Sequence, residues 1–93
     1  MRLQPQEVTI IKEAILSLDP QARVFLYGSR VDPARKGGDI DLLILSKLLK
    51  DIDSIKILKS IYENMEEQKI DILITAETDD PFVQIALKGG IEL

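Results

Sequence analysis

Apolar residues recur at helical spacing over Pro5–Leu18, where Val8, Ile11, Ile15 and Leu18 share one side. Pro5 suits a first helical turn, and Asp19-Pro20 stops the pattern. The spacing then changes. Val24-Phe25-Leu26-Tyr27 is a short strand candidate ended by Gly28. A loop of Pro, Gly and charge, Asp32–Gly38, leads to Asp39–Leu45, which is nearly continuously apolar from Ile40, as in a strand covered on both faces. Helical spacing returns over Asp51–Met65, with Ile52, Ile55, Leu58, Tyr62 and Met65 predicted to form most of a buried stripe. Ile70–Thr75 reads as another strand. Asp79 or Asp80 with Pro81 opens a short helix through Lys88 that Gly89-Gly90 ends, and Ile91-Glu92-Leu93 remains as a tail able to add an edge strand. The order predicts a small α/β layer structure.

Strand parity singles out three acids. Asp39, Asp41, Leu43 and Leu45 fall on one side of their strand, with Ile40, Leu42 and Ile44 on the other. In the later run, Asp71 shares a side with Leu73 and Thr75. A carboxylate on a covered strand costs desolvation unless it is paired or metal-bound, so Asp39 and Asp41 mark an opening. Converging carboxylates suit magnesium, which bridges protein oxygens to phosphates. Asp71, from an adjacent strand, is placed to complete such a site and to help deprotonate an acceptor hydroxyl.

The turn at Gly28-Ser29 supplies the other half. Glycine allows close approach of backbone to phosphate, and serine adds a hydroxyl donor. Arg30 offers a charge-assisted phosphate contact; its competing assignment is an ion pair with Asp32 or Glu13. Arg35 and Lys36 lie in a less constrained loop. Asp51/Asp53 and Glu63/Glu66/Glu67 read as solvated helix faces, and Phe82, Ile85 and Leu87 as packing or partner contacts.

Composition narrows the chemistry. The 93 residues fit one domain, residues 1–93, and 45% apolar content fits a folded one. With no cysteine and no histidine, disulfides, thiolate metal sites and histidine general bases are excluded. A net charge of -4 opposes autonomous nucleic-acid binding. No apolar run approaches membrane-spanning length and no signal-peptide pattern opens the chain, so a cytoplasmic location is expected.

Val24-Phe25-Leu26-Tyr27-Gly28-Ser29-Arg30, Gly38-Asp39-Ile40-Asp41-Leu42-Leu43-Ile44 and Lys69-Ile70-Asp71-Ile72-Leu73-Ile74 together resemble the nucleotidyltransferase domain of the DNA polymerase beta superfamily. More narrowly, they resemble the minimal nucleotidyltransferases (MNT proteins). The resemblance covers essentially the whole chain. It implies a small α/β (α+β) nucleotidyltransferase fold, with a mixed sheet of three to four strands packed against helices. It further implies that Gly28, Ser29 and Arg30 bind nucleotide, that Asp39, Asp41 and Asp71 hold Mg2+, and that Asp71 activates the acceptor. Many minimal members are antitoxins to a HEPN-domain ribonuclease toxin, some by transferring AMP from ATP to a toxin tyrosine. One departure stands out: Arg30-Val31-Asp32-Pro33 replaces the frequent arginine-alanine-arginine-glycine. Two other expectations therefore stand beside catalysis on a toxin: neutralisation by binding alone, and transfer to a small-molecule hydroxyl.

Overall fold

The computed structural model describes all 93 residues, Met1 to Leu93. Helix α1 (Pro5–Leu16) precedes β1 (Arg23–Tyr27), a single 3-10 turn (Gly28–Val31) and β2 (Ile40–Leu45). Then come α2 (Asp53–Asn64), β3 (Ile70–Thr75), α3 (Pro81–Gly89) and the short β4 (Ile91–Glu92). The sheet runs β3-β2-β1-β4. It is mixed, with β1 antiparallel to both β2 and β4 and β2 parallel to β3. The tail residues Ile91 and Glu92 thus do add an edge strand, pairing with Leu26 and Phe25. No helix is long and apolar enough to cross a membrane.

Strand alternation divides the core in two. Val24, Leu26, Ile40, Leu42, Ile44, Ile70 and Ile74 face α1 and α2, where they meet Ile11, Ile15, Ile57 and Ile61. Phe25 and Leu43 face α3 and its Val83 and Ala86. Both faces of β2 are therefore covered, which is why its sequence is nearly continuously apolar. Helix α3 begins where expected: the Asp80 carboxylate accepts from the N–H groups of Phe82 (2.9 Å) and Val83 (3.3 Å).

Two expectations need correction. Helix α1 ends at Leu16 rather than Leu18, and Leu18 is exposed. What stops it is Asp19, which is buried and accepts from Ser46 Oγ at 2.6 Å, while Ser46 Oγ in turn accepts from Leu49 N–H at 2.8 Å. That network ties the turn after α1 to the end of β2. In α2 the buried face is built on Ile57 and Ile61, with Leu58, Tyr62 and Met65 packed beside them. Ile52 and Ile55 stand in solvent, 75% and 68% exposed. Ile55 lies two residues before Ile57, about 200° around the helix, so the two cannot both face the sheet. Leu58, Tyr62 and Met65 are compatible with either isoleucine register, and the sheet selects one.

Truncating the two faces of α2 should have unequal effects. Ile61→Ala is expected to cost about 2–4 kcal/mol in denaturant unfolding, whereas Ile55→Ala should stay within about 0.5 kcal/mol.

Candidate active site

The α3 face of the sheet is apolar only in part. Past Phe25, Leu43 and Leu73, toward the end where β1 stops and β2 and β3 begin, the same parity presents Tyr27, Asp41 and Asp71. Register puts these three in one row: Tyr27 is opposite Asp41 across the antiparallel pair, and Asp41 is opposite Asp71 across the parallel pair. Asp39 stands just before β2 and Lys69 just before β3, joined through the backbone where Ile40 N–H donates to Lys69 O at 3.1 Å. Lys69 Nζ lies 3.4 Å from Asp39 Oδ2 and 4.0 Å from Asp71 Oδ2. The three predicted acids are therefore neighbours, with one lysine among them.

That crowding is visible in their protonation. Asp41 is pushed above its ordinary carboxylate value, first by partial burial and then by the charges of Asp71 and Asp39, against the opposing pull of Lys69. Tyr27 is also raised, by burial and by the Asp41 and Asp71 charges. Lys69 holds its proton more firmly, chiefly through Asp39. The negative charge here exceeds what the protein itself neutralises.

The glycine turn closes onto this cluster. Gly28 has φ +76°, and a Cβ placed on it would overlap the Asp41 carboxylate. Gly38, at φ +89°, sits so tightly on Ser29 that a Cβ there would overlap the serine hydroxyl. Gly28 is thus fitted to Asp41, and Ser29 to the residue that precedes Asp39. Arg30 is placed differently. Its guanidinium donates to Gly38 O (3.1 Å), Arg2 O (2.9 Å) and Gln68 Oε1 (3.1 Å), rather than pairing with Asp32 or Glu13. In this arrangement it is a strut between the loop, the segment before α1 and the approach to β3.

Three residues at the site were not singled out by sequence: Tyr27, Lys69 and Arg2. Tyr27 carried a usable signal, since it shares parity with Phe25 and immediately precedes Gly28. Lys69 adjoins the β3 acid but has no periodic signature. Arg2 donates to the carbonyls of Ser29, Asp32 and Gly37, contacts across 27 to 35 residues that no local pattern encodes.

The profile of the family described as Polymerase beta, Nucleotidyltransferase matches residues 10–93. The chain belongs to this family. A comparison with curated proteins returns no match. Within a nucleotidyltransferase domain of this kind, the oxygen-only donor set of Asp39, Asp41 and Asp71 fits a hard divalent cation such as magnesium. The acids are not drawn into a ready three-ligand cage; magnesium is commonly bound by one or two carboxylates together with substrate phosphates.

The site is a ledge rather than a pocket. The Asp39 and Asp71 side chains are 44% and 54% exposed. None of the five main surface concavities is lined by any of the three acids. The largest, about 550 Å³ and lined by Thr9, Lys12, Glu13, Leu16 and Ser17, lies on α1, across the sheet from them.

Asp41 binds its proton more tightly in the fold than in the unfolded chain, so its contribution to stability is present below the ordinary carboxylate range and is lost as pH rises through the folded value. Asp41→Asn is therefore expected to raise the melting temperature at neutral pH by about 2–5 °C, a gain that disappears below about pH 3.5. Thermal scans at the two pH values check this. Gly28→Ala should instead cost about 1–3 kcal/mol in denaturant unfolding, through its positive φ and the Asp41 overlap together.

Proposed function

We propose that this chain is a magnesium-dependent nucleotidyltransferase that moves AMP from ATP to a tyrosine hydroxyl of a HEPN-type ribonuclease toxin, and so acts as an antitoxin. The observation that carries the reading is the placement of Asp39, Asp41 and Asp71 at one sheet end, against the Gly28-Ser29 turn. Gly28 and Ser29 take the triphosphate, the glycine by leaving room and the serine by donating its hydroxyl. Magnesium, held by Asp39, Asp41 and Asp71, supplies the positive charge that offsets the phosphates. Asp71, the more exposed edge-strand acid opposite Asp41, accepts the acceptor's proton. The acceptor oxygen then bonds to the α-phosphorus while the bond from that phosphorus to the α,β-bridging oxygen breaks, and pyrophosphate leaves. The exposed ledge favours a macromolecular acceptor, because a small molecule would find few walls there to hold it.

One observation favours a second reading, neutralisation by binding alone. Lys69 already offsets Asp39 and Asp71, and the donors of Arg30 are engaged within the protein.

The two readings separate in one assay. With ATP labelled at the α-phosphate, magnesium and a HEPN-type ribonuclease as acceptor, label should pass to the ribonuclease, and Asp41→Asn should slow transfer by at least about a hundredfold. Absence of transfer, together with full neutralisation by Asp41→Asn, would rule out the catalytic reading and leave the binding one.

A further inference from the structure

The segment Ser29–Gly38 leaves the 3-10 turn at Val31 and forms no further helix or strand, and two of its residues, Gly37 and Gly38, have positive φ. Such a loop holds a single shape only if something fixes its ends. Two arginines do. Arg2 donates from Nη2 to Ser29 O (2.9 Å), from Nε to Asp32 O (2.9 Å) and from Nη1 to Gly37 O (2.7 Å). Its backbone N–H donates to Arg30 O at 2.7 Å. Arg30 answers with bonds to Arg2 O and Gly38 O. Both ends of the loop are thus gripped through carbonyls, by charge-assisted bonds.

The choice of carbonyls has a consequence. In a trans peptide the C=O and the following N–H point opposite ways, and the chain has no cis bonds. Drawing the Gly37 and Gly38 carbonyls onto the guanidiniums turns the N–H groups of Gly38 and Asp39 away from them. Those two successive N–H groups have no acceptor within the chain. Successive free amides at a glycine make a concavity suited to an anion, and here they adjoin Ser29 and lead directly into Asp39.

We propose that Arg2 is a positioning residue: it fixes the Ser29–Gly38 loop so that the Gly38 and Asp39 amides receive a nucleotide phosphate beside the Gly28-Ser29 turn. This rests on the transferase reading above. It assigns the phosphate grip to backbone amides held from behind, with Arg2 making no contact to the nucleotide itself.

The test compares wild type, Arg2→Ala and Arg2→Lys in two assays: trypsin nicking of the folded protein at Arg35–Lys36, and MgATP affinity by calorimetry. Arg2→Ala should raise both the nicking rate and the MgATP Kd by about tenfold, while transfer at saturating ATP changes by less than about threefold. Arg2→Lys, which keeps the charge but lacks the planar fork, should recover only part of each loss. If Arg2→Ala fails to fold, Arg2→Lys against wild type carries the comparison. Wild-type nicking and affinity in both variants would overturn the proposal. So would an affinity loss fully restored by lysine with nicking unchanged, since that marks a purely electrostatic role. If wild type binds no MgATP, the transferase reading fails, and nicking alone decides whether Arg2 fixes the loop.

Discussion

Parallel pairing of β2 with β3 brings Asp41 opposite Asp71, and the protein bears the cost of two like charges side by side with Asp39 close behind. The core enforces that arrangement. Ile40, Leu42 and Ile44 are fully buried against α1 and α2, so sliding β2 by one residue would drive the aspartates into the apolar layer and the isoleucines out of it. The acids cannot relieve their repulsion by a change of register. Within the chain they have only Lys69, on the solvent side, and the Asp41 carboxyl is held above its ordinary value.

The glycine turn and its loop are organised around the same spot. Gly28 leaves no space for a side chain next to Asp41, and Gly38 leaves none next to Ser29. The loop joining them is held from the far side by Arg2 and Arg30, and Gln68 bridges that strut to α1 by donating to Glu7 at 3.1 Å. Two features that weaken a fold, clustered carboxylates and positive-φ glycines, thus occur together at one sheet end, while the remaining strand positions are conventionally packed. Such concentration of unfavourable features fits a site selected for chemistry rather than for stability.

How far the sequence carried the account depended on whether a feature repeats. The strands were legible because their apolar runs are bounded by Gly28, the Asp32–Gly38 loop and Thr75, and period-two parity put Asp39 and Asp41 on one side of their strand and Asp71 on the Leu73 side of its own; the β2–β3 pairing is what joins the two. The Gly28-Ser29 turn was legible as a turn, and its fit against Asp41 was not. Helix α2 was ambiguous because isoleucines at 52, 55, 57 and 61 support two faces, and only the sheet selects Ile57 and Ile61. The role of Arg30 as a strut, and the whole contribution of Arg2, depend on backbone carbonyls about thirty residues away, a kind of contact that leaves no periodic trace.

The central claim is that these three carboxylates form a cation site facing the glycine turn, and paramagnetic broadening of backbone amide signals by Mn2+ tests it most directly. Substoichiometric Mn2+ should broaden Gly28, Ser29, Asp39, Asp41 and Asp71 first, and added Mg2+ should reverse the effect. Broadening centred instead on Asp51 and Asp53, or on Glu63, Glu66 and Glu67, or spread evenly over all acidic positions, would contradict it.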